Sequence, residues 1–133
     1  MIIRNAALIA AALTASTAGF AQSATQSENE TQLSAEALGQ GDVDLATRAL
    51  EKALRNAPQD PALLINMGIA RANAGKRDEA RALFNRALTS PEPVELETAD
   101  GRLTDSRRLA RRALAMLDRG EFAPVSARQA ALD

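Results

Sequence analysis

Residues 60–88 read DPALLINMGIARANAGKRDEARALFNRAL, and this stretch decides the fold. Asp60 followed by Pro61 is a helix opening: a carboxylate at that place caps free backbone amides, and proline loses nothing in a first turn whose N–H groups have no helical partner. Leu64, Met67, Gly68 and Arg71 then follow at helical spacing, and Gly75 closes the helix in the left-handed conformation that glycine alone adopts cheaply. Beyond it, Ala80, Phe84 and Ala87 set a small, large, small stripe on a returning helix. The unit is a pair of antiparallel helices in which the small Gly68 lets the second helix approach closely.

Working backwards, the same pattern recurs 34 residues earlier. Leu33 falls on Met67, Gly41 on Gly75, Asp44 on Asp78, Ala46 on Ala80, Leu50 on Phe84, Lys52 on Arg86, Ala53 on Ala87 and Leu54 on Leu88. Leu33, Ala37 and Leu38 give the first helix its apolar side, and Gly41-Asp42 supplies the turn and the next cap. A helical hairpin repeated at this period cannot bury its shared face alone and stacks on its neighbour.

Working forwards, the register breaks after Leu88. Ser90-Pro91-Glu92-Pro93, the alternating Val94-Glu95-Leu96-Glu97-Thr98 and the turn-forming Asp100-Gly101 refuse a helix. Residues 89–103 are read as a loop with an extended edge. Leu109, Ala113, Met116 and Gly120 then recover the spacing of Leu64, Gly68, Arg71 and Gly75, displaced by one period plus an insertion of 11. That places a capping helix over 104–119. At 100° per residue, Arg107, Arg108, Arg111, Arg112 and Arg119 share one arc, and Leu109, Ala110, Ala113, Leu114, Met116 and Leu117 fill the other. The basic arc reads first as a solvated outer face; docking of an acidic protein surface or of anionic lipid is the sharper alternative. A tail follows over 121–133, in which Ala127 to Leu132 have room for a final short turn.

These residues resemble the tetratricopeptide repeat family. Leu64, Met67, Gly68, Arg71, Ala80, Phe84 and Ala87 occupy its pattern, with Leu64 where the family often has Trp, Arg71 where it usually has Tyr, and Glu30 and Ser34 where apolar residues are usual. The resemblance implies an all-α fold: a short stack of two repeats, about 31–58 and 61–88, closed by the capping helix within a domain over 31–120. It also implies a protein or peptide partner on the concave face, here Ile65, Asn66, Ile69, Ala72 and Asn73 with Thr31, Ala35 and Leu38. Family members that grip a terminal carboxylate use Lys, Arg and Asn at these sites, and the first two units lack the basic residues. An apolar peptide, an amphipathic helix or the protein's own tail suits the face better. With so few units, Ile65 and Ile69 are either the floor of a groove or core beneath the last helix, and the sequence leaves both readings open.

Composition agrees with helices and excludes most chemistry. Aromatic residues are 2% of a chain rich in Ala, Leu and Arg, which disfavours sheets. With no His and no Cys, the chain has no imidazole or thiolate for nucleophilic catalysis or metal ligation. A non-enzymatic protein without cofactor or metal is expected. A net charge of -1 gives no electrostatic reason to bind nucleic acid, and no aromatic residue interleaves the arginines.

The first residues read as a targeting segment. Arg4 precedes an apolar run from Ala6 to Phe20, and Gly19-Phe20-Ala21 sets up cleavage after Ala21, giving a signal peptide over 1–21 and a disordered polar leader over 22–30. The run is too short and too interrupted by Thr14, Ser16 and Thr17 for a stable membrane span. A small exported bacterial protein is expected, periplasmic or secreted. Its role is that of an adaptor holding part of a cell-envelope or secretion protein, or alternatively a homodimer formed through the apolar arc of the final helix.

Overall fold

The computed structural model describes residues 18–98 and 100–122, with side chains from Asn29 onward. Five helices follow in order: α1 (Ala18–Gln40), α2 (Val43–Asn56), α3 (Pro61–Asn73), α4 (Arg77–Leu88) and α5 (Ser106–Asp118). Between the last two lies an antiparallel ribbon of β1 (Glu95–Glu97) and β2 (Leu103–Asp105). The residues assigned to a signal peptide at 1–17 and to the tail at 123–133 lie outside those described. Among the described residues, no helix is long and apolar enough to cross a membrane.

The helices begin and end where the local chemistry dictates. Asp60 Oδ1 accepts from the amides of Ala62 at 2.8 Å and Leu63 at 3.2 Å, and Asp42 accepts from the amide of Leu45. Gly41, Gly75 and Gly120 follow α1, α3 and α5 with positive φ, as the tight turns require. Along α3 and α4, the expected close approach is present: a Cβ placed on Gly68 would lie 2.4 Å from the Phe84 ring. Arg71, standing where an aromatic residue is usual, bridges Glu51 of α2 at 3.1 Å and Glu79 of α4 at 3.2 Å. Leu64 is fully buried.

Three clusters hold the stack together. Leu50 and Ala53 of α2 pack on Leu63, Met67 and Ala70 of α3. Ala72, Ala80 and Phe84 meet Ala113 and Leu117 of α5, with Phe122 stacked on Phe84 at 6.0 Å between ring centroids. Ala62, Leu64 and Ile65 meet Ala87, Leu96 of β1 and Ala110 of α5.

The first unit departs from expectation in two ways. Helix α1 runs unbroken through 22–30, the stretch read as a disordered leader, and it includes Ala21. Between Phe20 and Glu30 there is neither Gly nor Pro, and the Ala, Gln and Glu present have good helix propensity, so the turns anchored on α2 extend backwards. In addition, α1 buries Glu30, Ser34 and Ala37, while Leu33 is 43% exposed. Its counterpart Met67 packs on the preceding α2, and among the described residues no helix precedes α1 to cover Leu33. Buried polarity is partly met: Glu30 pairs with Lys52 at 2.5 Å, and Ser34 Oγ donates to the Thr31 carbonyl at 2.7 Å.

The insertion is more ordered than a loop. Leu96 pairs with Thr104, Glu95 with Asp105 and Glu97 with Leu103, with Gly101 at φ +76° in the connecting turn. Thr104 and Asp105 are therefore strand residues, and α5 starts at Ser106 rather than 104, capped by Asp105 through the amides of Arg107 and Arg108.

Candidate interaction surface

The residues assigned to a concave face come together on α3, but they do not line an open groove. Ile65 and Asn66 are each 2% exposed, and Ala72 and Asn73 are also buried. Ile69 packs partly buried against the two clusters that α5 completes, and Leu38 packs against the α2–α3 cluster. Thr31 and Ala35 are half-buried on α1. For Ile65, Ile69 and Ala72 the cause is the last helix. Small Ala110 and Ala113 let α5 lie close on α3, and Leu96 enters the same cluster from the ribbon. Of the two readings left open, core beneath the last helix is realised for Ile65, while Ile69 packs partly buried against the same helix's clusters. The amides are incompletely satisfied: Asn66 Nδ2 and Asn73 Oδ1 are buried with no hydrogen-bond partner.

The same packing corrects the dimer interface read from the sequence. Ala110, Ala113 and Leu117 form the centre of the apolar arc of α5, and all three are buried in the chain's own core. That arc is not free for a second copy.

The basic arc divides. Arg107 is drawn inward, its Nη2 donating to the Ser90 carbonyl at 2.8 Å. Arg108, Arg111 and Arg112 remain exposed and form no ion pair among the described residues. Nearer the helix end, Asp118 accepts from Arg81, and this hydrogen bond, aided by the charges of Arg81, Arg77 and Arg119, holds its carboxyl below the usual range. Glu121 is lowered likewise by its bond from Arg119, with Arg112 adding to the field.

An open groove lies elsewhere, between the α2–α3 turn and the segment that leaves α4. Ala57, Pro58, Pro61, Pro91 and Val94 supply its apolar lining, with Asp60, Ser90 and Glu92, around about 440 Å³. Both walls are tied to helices. Arg86 Nη2 donates to the Pro58 carbonyl at 2.7 Å on one side, and Arg107 holds Ser90 on the other. The carboxylate of Asp60 is committed to capping α3. The sequence marked these residues only as a helix opening and as turn and loop formers, since the register breaks after Leu88 and no local pattern sets the path of the segment that follows. The prolines were legible; their meeting was not.

A tetratricopeptide repeat family model matches residues 37–90, from the last turn of α1 through α4. Over these residues the chain is similar to the tetratricopeptide repeat family. No curated protein and no solved structure matches the chain. Tetratricopeptide repeats generally mediate protein–protein interaction and are typically non-enzymatic. The ribbon and α5 lie beyond the matched residues. Among the described residues no group of His, Cys, Asp or Glu is arranged to hold a metal ion.

Proposed function

We propose that this chain is a non-enzymatic adaptor that holds a short segment of a protein partner, and that the segment docks in the groove between Ala57–Pro61 and Ser90–Val94. The observation that carries this reading is the mostly apolar groove, with an arginine bond to each wall, beside a stack whose inner stripe is already filled. Prolines on both walls present flat apolar surface at little entropic cost, and the two arginine bonds hold those walls before any partner arrives. Such a surface suits an extended peptide or one edge of a helix. The targeting pattern over residues 1–21 supports an exported protein, periplasmic or secreted, and so a partner from the cell envelope or secretion machinery.

A photo-crosslinking residue at Val94, compared in cells with one at exposed Arg48 on α2, tests the site. The expected result is a discrete adduct from Val94, lost when Pro91 is changed to Glu in the same chain, and none from Arg48. Equal labelling at both positions would remove the groove from consideration. Fractionation with mass spectrometry of the amino terminus tests export, with Gln22 as the expected first residue.

A further inference from the structure

The ribbon and α5 carry opposite charge on adjoining segments. Residues 92–105 hold five carboxylates, Glu92, Glu95, Glu97, Asp100 and Asp105, against the single Arg102; residues 106–119 hold five arginines against the single Asp118. Glu92, Glu95, Asp100 and Asp105 are exposed, as are Arg108, Arg111 and Arg112. Although β2 runs directly into α5, no ion pair joins the ribbon to the helix among the described residues. Register and capping explain this. Leu96 is the buried residue of β1, so its neighbours Glu95 and Glu97 take the opposite face, and Asp105 spends its carboxylate on the first amides of α5.

We infer that this end of the stack pairs with the same end of a second copy of the chain, the ribbon of each lying on the arginines of the other. A two-fold axis makes every such contact twice, so one self-complementary surface is enough. The charges exclude the simpler alternatives. Ribbon against ribbon sets Glu95 and Glu97 against their own equivalents, and helix against helix sets Arg108 and Arg111 against theirs, both repulsive. Only the crossed arrangement matches opposite charges on both sides. Leu103, at 67% the most exposed large apolar residue described, lies on the ribbon between the two charged segments and would be covered by it. A flat anionic membrane is a poorer occupant, since it would meet the acidic ribbon together with the arginines. Of the charged residues on this surface only Glu92 also lines the groove, and the assay does not depend on the adaptor's partner.

Sedimentation equilibrium of the full chain tests the pairing at about 0.01 M salt, where the Debye length is ~30 Å, and at about 1 M, where it is ~3 Å. The expected mass is twice that of one chain at low salt and that of one chain at high salt. R108E/R111E and E95K/E97K, changed at exposed positions apart from the half-buried Glu97 and checked for unaltered circular dichroism, should each remain single chains at low salt. Mixing them in equal amounts should restore the doubled mass, since each then offers the charge that the other lacks. A wild-type chain that stays single at low salt overturns the proposal. So does a doubled mass in either variant alone, or a mixture that stays single. Binding of a single-chain wild type to phosphatidylserine vesicles, without doubling, would assign the arginines to lipid instead.

Discussion

Gly68→Ala is the sharpest probe of the stack, because two effects of known sign oppose each other there. Alanine improves the helix propensity of α3 by about 1 kcal/mol over glycine. Its Cβ, however, would lie 2.4, 2.6 and 2.9 Å from three ring carbons of Phe84, where carbon atoms prefer roughly 3.5–4.0 Å. The ring must retreat by about 1 Å to restore that separation. Phe84 is fully buried, enclosed by Ala72, Ala80, Ala113 and Leu117 with Phe122 stacked on it, so retreat forces α4 and α5 outward together. Overpacking of this kind costs about 1–3 kcal/mol, and it outweighs the propensity gain. The net loss should be up to about 2 kcal/mol, each kilocalorie lowering Tm by roughly 4–8 °C in a domain of this size. Urea unfolding of wild type, G68A, F84L and the double variant gives the decisive cycle. In the F84L background the stiff ring is gone, so G68A should become neutral or stabilising, with a coupling of about 1–3 kcal/mol between the two positions. If G68A stabilises both backgrounds equally, the glycine does not serve the approach of α4.

Three further outcomes follow from the same packing. Ile65→Glu should abolish cooperative thermal unfolding, or cost about 3–5 kcal/mol, because it places a carboxylate among Ala62, Leu96 and Ala110; a well-folded variant would show that α5 leaves α3 easily. Asp60→Ala should cost about 1 kcal/mol in urea denaturation and Asp60→Asn much less, since asparagine still accepts from the Ala62 and Leu63 amides. Asp118 has its carboxyl lowered in the folded chain, so its contribution is complete above its ordinary value of 3.8 and disappears as pH falls through the lower folded value. Asp118→Asn should therefore lower Tm slightly at neutral pH and leave it unchanged in strong acid; an equal loss at both would contradict the ion pairing with Arg81 and Arg77.

Much of the repeat was legible along the chain because its determinants are local. Asp60 and Pro61 start α3, Gly75 stops it, and the 34-residue register identifies Ala80, Phe84 and Ala87 as the packing stripe of α4; each depends on neighbours a few residues away. The alternation from Val94 to Thr98 likewise announced an extended edge. It did not name Leu103–Asp105 as the partner strand, because three residues carry too little pattern to specify a pairing.

Periodicity tells which side of a helix is apolar and leaves open which element covers it. Ile65, Asn66, Ala72 and Asn73 could have floored a groove on the strength of the resemblance to the repeat family. Ile65 and Ala72 are buried because Ala110 and Ala113 bring α5 onto α3 after an insertion whose path no local rule sets. Leu33 is the converse case: its register matched Met67, yet it is exposed, and among the described residues no helix precedes α1 to cover it. The sequence by itself determined the helices, their caps and the repeat. The tertiary structure decided which faces are spent on the chain's own core and which remain for partners, since burial depends on contacts between residues far apart in the chain.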